Sequence, residues 1–351
     1  MFVIIMAGGS GTRFWPASNE QVPKQFLKIV SDNTLIEDTL ARISPLVADK
    51  NIFVIVNQLH QDLTRDILRD KEIQILAEPV GRNTAACIGL GAIHATRIDA
   101  DAPMIILPAD HHISDVEAFK KKLKNAAYIA RSGVIVTLGI VPTRPETGYG
   151  YIELNDEVGF LDYEKIFHVR KFVEKPDSDT AKKYVTDGRH FWNGGIFVFT
   201  PKVILNEIKT HLPELFDGLA EIAETIGTDR YEETLNRIYP QLPSISIDYG
   251  VMEKTLVPIR TLCCDFGWSD VGSWQSLYEL RRQTDSPNVL MADTVVIESK
   301  NNLIYSTSKR KVALLGIEGI AVIDTPEALL IADLKRSQEV KRVTEILKSA
   351  E

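Results

Sequence analysis

Short apolar runs alternate with amphipathic segments through the first 140 residues of the chain. Runs of four to six apolar residues suit buried strands and are too short for core helices. The segments between them have helical spacing, and Thr34 to Glu37 has the form of a capping box that opens a helix. The pattern predicts strands over Phe2–Met6, Ile52–Val56, Ile73–Leu76, Met104–Leu107 and Val134–Leu138, and helices over 34–43, Asp62–Arg69, Thr84–Ile98 and Val116–Ala130.

This alternation predicts an α/β fold with a Rossmann-like, mixed and mostly parallel sheet that is covered by helices on both faces. Ligands of such sheets bind beyond the carboxyl ends of the strands. From about residue 140 the pattern loosens. The expected elements there are strands over Tyr151–Leu154, Phe167–Phe172 and Gly195–Phe199, with helices near Ala181–Thr186 and Pro201–His211.

The hydropathy pattern changes after residue 285, where short apolar runs recur between turn residues. The runs are Thr294–Ile297, Leu303–Tyr305, Val312–Leu315, Ile320–Ile323 and Leu329–Ile331. They predict a small β-rich unit, closed by a helix from about Ser337 to Lys348. We therefore expect one domain over residues 1–285 and a second over residues 286–351, which is a candidate for dimerisation because exposed short strands need cover.

The composition of the chain argues against nucleic-acid-binding and membrane proteins and indicates a cellular compartment. With 44% hydrophobic and 25% charged residues, the chain of 351 residues is an ordinary globular protein. A net charge of −8 argues against general binding to nucleic acid. The three cysteines have no disulfide or zinc spacing, which predicts a cytoplasmic location. Because no run approaches the roughly 20 apolar residues that span a membrane, no membrane association is expected.

The most informative segment is the glycine-rich sequence GGSGTR, which follows the first predicted strand. Glycines let the backbone turn its N–H groups toward an anion, and Arg13 and Lys24 add positive charge, as a polyphosphate site requires. A dinucleotide fingerprint would need a third glycine where Phe14 stands, and no Lys-Ser or Lys-Thr follows as in a P-loop. The candidate phosphate-binding residues are Gly8, Gly9, Ser10, Gly11 and Thr12.

Two carboxylates are candidates for a metal site. Asp110 ends a predicted buried strand, and Asp270 lies in the segment GWSDVGSW. Two carboxylates can share a Mg²⁺ ion whose other ligands are water and phosphate oxygens. From spacing alone, the helix-cap interpretation of Asp270 is favoured. His111 and His112 follow Asp110 and invite a zinc interpretation, but adjacent side chains diverge in an extended segment, which favours loop histidines.

Taken together, the segments AGGSGTRFWP, PKQFL, EPVGRNTA, FVEKP and WSDVG resemble the motifs of nucleotide-sugar pyrophosphorylases, in particular the mannose-1-phosphate guanylyltransferases. The resemblance covers residues 3 to 274, and the shared order of the motifs makes it specific. It implies an enzyme that transfers GMP from GTP to mannose 1-phosphate with Mg²⁺, giving GDP-mannose and pyrophosphate. Longer relatives add an isomerase domain, for which a chain of 351 residues is too short, so no isomerase activity is expected.

The same resemblance implies roles for individual residues. Arg13 and Lys24 would hold the triphosphate, Asp110 and Asp270 the Mg²⁺, and Lys175 the sugar phosphate. The nucleoside would be bound by Glu78, Arg82, Asn83 and Thr84, and the sugar by Gly148, Glu174 and Asn193. A carboxylate can accept both N1–H and N2–H₂ of guanine, which adenine lacks. The ordinary alternative for EPVGRNTA is a turn with Asn83 or Thr84 as helix cap, and Asp248 is read as a cap or supporting group.

Three alternatives stay open at this stage. The chain could be a pyrophosphorylase for another sugar 1-phosphate or another nucleotide. It could be a non-catalytic regulatory protein that binds nucleotide sugars, although Arg13, Lys24, Asp110, Lys175 and Asp270 are all present. A Rossmann oxidoreductase is disfavoured by the missing third glycine. A homodimer is expected for the enzyme.

Overall fold

The computed structural model describes residues 1–9, 12–282 and 286–350, and they form two compact units built from non-contiguous segments. The sheet unit consists of Met1–Gly8, Leu40–Ala109 and Ile113–Trp268. The second unit consists of Gly9–Thr39, Asp110–His112 and Ser269–Glu351. The boundary expected at residue 285 stays a prediction, because residues 283–285 lie outside the described residues.

Strands and helices follow one another along the chain much as the hydropathy pattern predicts. Up to residue 269 the elements are β1 (Phe2–Met6), α1 (Leu35–Ile43), β2 (Ile52–Asn57), α2 (Gln61–Ile67), β3 (Gln74–Glu78), α3 (Asn83–Asp99), β4 (Met104–Pro108), β5 (His112–Ile113), α4 (Val116–Ala130), β6 (Ile135–Ile140), β7 (Gly150–Leu161), β8 (Glu164–Val173), α5 (Ser178–Asp187), β9 (His190–Phe199), α6 (Pro201–His211), α7 (Pro213–Thr225), α8 (Tyr231–Ile238), β10 (Ile259–Cys264) and β11 (Trp268–Ser269). The remaining elements are α9 (Trp274–Arg281), β12 (Val289–Met291), β13 (Thr294–Ile297), β14 (Leu303–Ser306), β15 (Val312–Leu315), β16 (Ile320–Asp324), β17 (Leu329–Asp333) and α10 (Val340–Ala350).

Among the described residues of the sheet unit, nine strands form one mixed sheet in the order β3-β2-β1-β4-β9-β6-β10-β8-β7. Parallel ladders join β3, β2, β1 and β4, and a further one joins β6 and β10. Antiparallel ladders join the other neighbours. The α/β prediction is confirmed, and the carboxyl ends of β1 to β4 lie along one edge of the sheet, where ligands of such sheets bind.

Helices cover both faces of the sheet. Because side chains point alternately to the two faces along each strand, both sets of side chains are buried. Phe2 and Ile4 of β1 join a large apolar cluster to which α3, α6 and α7 contribute. Val3 and Ile5 are equally buried but lie outside that cluster, on the opposite face. There α4 packs against β6, β9 and β10, with Phe119 buried.

Some elements of the sheet unit escaped prediction. Strand β10, with the sequence IRTLCC, is neither a continuous apolar run nor a regular alternation, and it pairs with β6 and β8 inside the sheet. The outer half of β7 is polar and pairs with β8 in a hairpin. Its two turn residues, Asp162 and Tyr163, have φ of 49° and 66°, as a tight two-residue hairpin turn requires. Helices α7 and α8 follow the loosened pattern after residue 140 and were also missed.

The second unit carries the β-rich structure predicted for the C-terminal region. Strands β12, β14 and β16 stack in parallel, with Val289 opposite Leu303 and Leu303 opposite Ala321, and β13 pairs in parallel with β15. Asn302 lies wholly buried between successive coils, and its Nδ2 donates to Asn288 Oδ1 at 3.0 Å and to the Ile317 carbonyl at 2.9 Å. These bonds satisfy a buried amide that would otherwise be costly. Strand β12 was not predicted.

An aromatic contact lies at the centre of this unit. The rings of Phe14 and Trp274 meet edge to face with centroids 4.8 Å apart, and the two residues are 1% and 0% exposed. Arg281 donates from Nη1 to the Val30 carbonyl at 2.8 Å. Helix α9, which was not predicted, therefore attaches the glycine-rich segment to the apolar core of the C-terminal strands. No helix of the described residues is long and apolar enough to cross a membrane.

Replacing Trp274 by alanine should therefore lower the free energy of unfolding by about 3–5 kcal/mol, the usual cost of removing a buried tryptophan. Urea unfolding followed by circular dichroism measures this. The control is Tyr163→Ala, since Tyr163 is fully exposed, and we expect it to leave the urea midpoint unchanged. A Trp274→Ala midpoint equal to the control would contradict the packing described.

Candidate active site

In the second unit, Lys24 brings together residues that are far apart in sequence. It begins a short 3₁₀ turn, Lys24–Phe26, directly after Pro23. Its Nζ donates to Asp110 Oδ2 at 2.8 Å and also to the backbone carbonyl of Asp270 at 2.5 Å. The Lys24 side chain is only 9% exposed, whereas that of Asp110 is 32% exposed. The predicted cation and the two predicted metal ligands therefore form one cluster, in which Asp110 stays accessible.

The charge of Asp110 is set by its neighbours. Burial acts to raise the pKa of this carboxyl, but the nearby Lys24 ammonium, with His111 and Arg13, acts in the opposite direction and prevails. The net result is a pKa below the usual range of an aspartic acid. Asp110 is therefore ionised at neutral pH, as a ligand of a divalent cation must be.

The helix-cap interpretation of Asp270 is wrong. The N-cap of α9 is Ser273, which forms a capping box with Ser276. Asp270 instead precedes a strained turn, in which Val271 has φ of 45°. Its carboxylate lies so close to Gly272 that a Cβ there would be 2.5 Å from Asp270 Oδ2. A side chain at position 272 would therefore force this carboxylate to move.

The glycine-rich segment lies in the same unit from Gly9 onward. Gln25 donates from Nε2 to the Gly9 carbonyl at 3.4 Å, and Thr12 opens a short 3₁₀ turn. Within that turn Arg13 is exposed while Phe14 is buried. The predicted phosphate ligands Ser10 and Gly11 lie outside the described residues. The Arg13 side chain is therefore accessible to a ligand, while the buried Phe14 ring holds the turn in place.

The residues predicted for the nucleoside lie in the sheet unit. Glu78 is the last residue of β3 and is 3% exposed. Tyr239 donates its hydroxyl to Glu78 Oε1, and a Cβ on Gly8 would lie 2.9 Å from Glu78 Oε2. Burial raises the pKa of Glu78 to about 7, although the hydrogen bond from Tyr239 acts to lower it. The structure therefore brings Gly8 and Glu78 together at the carboxyl ends of β1 and β3.

Neither Asn83 nor Thr84 is the N-cap of helix α3, so the alternative interpretation of this segment as a helix cap is wrong, and the nucleoside-binding role stays a prediction. The helix begins at Asn83, and the preceding Arg82 makes no side-chain cap bond. Asn83 has φ of 63° and accepts the Thr84 N–H at 2.8 Å, whereas the Thr84 hydroxyl accepts the Ile247 N–H at 2.8 Å. Among the described residues, the buried Nε of Arg82 has no hydrogen-bond partner.

The residues predicted for the sugar phosphate follow the end of β8. Lys175 donates to Glu174 Oε1 at 2.6 Å and has φ of 46°, a conformation rare outside glycine that often occurs at functional sites. The Glu174 carboxylate raises the pKa of Lys175, with smaller effects of Tyr249 and Asp248. A Cβ on Gly150 would lie 2.6 Å from Glu174 Oε2. Lys175 is therefore a charged and exposed group held beside a fixed carboxylate.

Asn193 and Asp248 form a second pair in this region. Asn193 Nδ2 donates to Asp248 Oδ1 at 2.8 Å, and Asn193 Oδ1 accepts the Gly195 N–H at 3.1 Å. Burial raises the pKa of Asp248, which begins a π-helical turn. Gly148 donates its N–H to Glu146 Oε1 at 3.1 Å. Asp248 thus orients Asn193, in line with the supporting role considered for it.

The residues predicted for the nucleoside and those predicted for the sugar both contact the segment 245–248 of the sheet unit. Thr84 holds the N–H of Ile247, the residue before Asp248, and Ala85 donates to the Ile245 carbonyl at 3.2 Å. Sequence reasoning missed Tyr239 because its segment, RIYPQLP, carries no polar motif. The contact of its buried hydroxyl with Glu78 can be recognised only in the structure.

The oxygen ligands that the two aspartates of the second unit offer suit Mg²⁺. Within the part of the chain that the structure describes, no group of three histidine, cysteine, aspartate or glutamate side chains could hold an ion. Mg²⁺ in phosphate chemistry takes one or two carboxylates and completes its shell with water and phosphate oxygens. One ionised Asp110 beside Asp270 is such a donor set.

Comparison with known proteins identifies the class. The sequence model of the nucleotidyl transferase family matches residues 2–286, so the chain belongs to this family, as its motifs predict. A second model, described as a MannoseP isomerase/GMP-like beta-helix domain, matches residues 292–347 and agrees with the parallel stacking of strands β12 to β16.

Individual relatives are more specific. Mannose-1-phosphate guanylyltransferase 2 of Escherichia coli O157:H7 is 40% identical over 99% of this chain and 73% of its own length. Mannose-1-phosphate guanylyltransferase of Salmonella muenchen is 39% identical with the same coverage. A crystal structure from Thermus thermophilus, described as a mannose-1-phosphate geranyltransferase, superposes with a TM-score of 0.89 at 34% identity and covers 99% of both chains.

Proposed function

We propose that this protein transfers GMP from GTP to mannose 1-phosphate and releases pyrophosphate, giving GDP-mannose. The observation that carries the proposal is the cluster in which Lys24 joins the Asp110 carboxylate to the Asp270 carbonyl. It combines a fixed cation and the Asp110 carboxylate with the backbone of Asp270, the second proposed carboxylate ligand, in the same unit as the glycine-rich segment from Gly9 onward. A polyphosphate and its metal ion require such groups. The choice of substrates is supported by the names of relatives such as the one that is 40% identical over 99% of the chain.

In the proposed reaction, the phosphate oxygen of the sugar attacks the α-phosphorus of GTP in line, and pyrophosphate leaves. Such transfers depend on positioning and on charge stabilisation more than on proton transfer. Asp110 and Asp270 would hold Mg²⁺, which when bound neutralises charge that develops on the phosphates. Arg13, Lys24 and the N–H groups of the glycine-rich segment bind the triphosphate and the departing pyrophosphate.

Lys175 binds the nucleophile. Its ammonium offers three donors, of which Glu174 engages one, and its exposure leaves the others for a sugar phosphate. Positive charge at this point offsets the repulsion between two anionic substrates. Glu174 and Asn193, which Asp248 orients, are then suited to sugar hydroxyls.

Pyrophosphate release with mannose 1-phosphate and Mg²⁺, measured in parallel with GTP, ATP, UTP and dTTP, tests the proposal. Release with GTP alone is expected. Release with a different nucleotide would keep the reaction class but contradict the guanine assignment. Absence of release with all four nucleotides would contradict the proposed activity with this sugar.

Asp110→Asn should lower kcat by about 100-fold or more, because a carboxamide is a poor ligand for Mg²⁺ and no longer balances the Lys24 charge. Steady-state pyrophosphate release measures the effect, and the melting temperature shows whether the fold is retained. Asp156→Asn, on the exposed part of β7, is the matched control and should keep full turnover. Near-normal turnover of Asp110→Asn would exclude a role in metal binding.

Lys175→Ala should raise KM for mannose 1-phosphate by about 10-fold or more, since a charge-assisted contact to phosphate is lost. KM for GTP should change little, because Lys175 is assigned to the other substrate. Lys183→Ala removes an exposed lysine of α5 and serves as the control. An unchanged kcat/KM for the sugar phosphate would remove Lys175 from the site.

We further propose a homodimer in the cytoplasm. Among the described residues, β17 is the last strand of its sheet, and Leu329 and Ile331 on it are 51% and 63% exposed. Unpaired apolar edge strands need cover, and a second copy provides a self-complementary one. Light scattering should give twice the chain mass, and Ile331→Lys should give a monomer; a monomeric wild type would contradict this.

The three free cysteines support the proposed cytoplasmic location, because a reducing compartment keeps thiols free.

A further inference from the structure

Tyr239 is a buried polar residue that the mechanism above does not use. It is 0% exposed, it follows α8, and its hydroxyl donates to Oε1 of the similarly buried Glu78. We propose that Tyr239 is a positioning residue for base selection, which keeps the Glu78 carboxylate oriented and ionised as an acceptor for the guanine edge. The inference rests on the proposed function, in which Glu78 reads the base.

The hydrogen bond from Tyr239 orients the carboxylate. Oε1 of Glu78 is held by the Tyr239 hydroxyl. The absence of a side chain at Gly8 leaves room beside Oε2, since a Cβ there would come within 2.9 Å of it. Glu78 itself ends β3, whose ladder with β2 fixes its backbone. The bond to Oε1 therefore sets the direction of the remaining acceptor positions of the carboxylate.

The electrostatics make the hydrogen bond necessary. The titratable groups that face Glu78 are the Tyr239 hydroxyl and the thiol of Cys87 on α3. Burial raises the pKa of Glu78 to about 7, and the bond from Tyr239 keeps it from rising further. Burial and the Glu78 charge hold the pKa of Tyr239 well above its usual range, so Tyr239 remains a donor throughout the neutral range. Loss of this donor would leave Glu78 protonated at neutral pH.

Protonation of Glu78 changes which base the site accepts. An ionised carboxylate accepts N1–H and N2–H₂ of guanine but has no donor for the N1 acceptor of adenine. A protonated carboxyl loses acceptor capacity and gains one donor, which suits adenine better. Without Tyr239 the site should therefore bind GTP less tightly and discriminate less against ATP, with the change greatest at and below neutral pH.

The test is the pH dependence of KM for GTP between about pH 6 and about pH 9 for the wild type and Tyr239→Phe. In the wild type, KM should rise as the pH falls through about 7, where Glu78 takes up a proton. In Tyr239→Phe this rise should move upward by about one pH unit, giving a KM at neutral pH that is higher by up to about tenfold, with kcat nearly unchanged. At the alkaline end the two KM values should converge.

A purely structural role of Tyr239 predicts a different result, namely lower stability and lower kcat with an unmoved pH midpoint. Tyr231→Phe is the matched control, because the Tyr231 hydroxyl is bonded to His94 Nε2 at 2.8 Å and not to Glu78. It should leave the profile of the wild type unchanged. Glu78→Gln, which cannot titrate, should give a raised KM for GTP that no longer depends on pH over this range.

Failure of this inference can be told apart from failure of the proposed function. If the wild type releases pyrophosphate from GTP but its KM is constant over this pH range, or if Tyr239→Phe keeps the wild-type midpoint, the inference is wrong. If the wild type releases none, the proposed function fails, and calorimetric binding of GTP at both ends of the pH range replaces KM. In that case, equal affinities of the wild type for GTP at both ends of the pH range would overturn the inference. The same measurement on the wild type decides the matter if Tyr239→Phe does not fold.

Discussion

The second unit is organised around the buried ammonium of Lys24. A charge that is withdrawn from water must be paired and hydrogen-bonded, or its burial costs several kcal/mol. The chain supplies Asp110 as counter-ion and the Asp270 carbonyl as second acceptor, from segments 86 and 246 residues away. The Phe14 and Trp274 rings hold neighbouring parts of the same segments together through apolar contact. The position of each proposed metal ligand therefore depends on the lysine charge and on the core beside it.

A recurring local arrangement then fixes the proposed site carboxylates. The carboxyl groups of Glu78, Glu174 and Asp270 each lie against a glycine, and a Cβ on that glycine would be only 2.5–2.9 Å from the carboxylate oxygen. These three glycines, 8, 150 and 272, all have φ that other residues could adopt, so their role here is to leave space and not to provide backbone freedom. A side chain at any of them would force the neighbouring carboxylate to move from the position described.

How much the sequence predicts depends on how locally each feature is determined. Strands β1, β2 and β4 are continuous apolar runs because helices cover both their faces, and they were predicted almost to the residue. Strand β10 is stabilised by its neighbours in the sheet and gives no such local signal. The same holds for the site: motifs pointed to Lys24 and Asp110, whereas the hydrogen bond between Thr84 and Ile247 gives no local signal because the two residues are 163 positions apart.

Asp110 differs electrostatically from Glu78 and Asp248, in line with the roles proposed for these three residues. Asp110 has a lowered pKa because cations surround it, which suits a group that must remain ionised to hold a metal ion. Glu78 and Asp248 have raised pKa values because they are buried, and each receives one side-chain hydrogen bond that acts against the rise, from Tyr239 and Asn193. Of these two, Asp248 orients Asn193, whereas Glu78 is the acceptor proposed for the nucleobase. A desolvated acceptor with unused lone pairs gains most from a ligand N–H. The donors of the nucleobase therefore contribute most where water has already been removed.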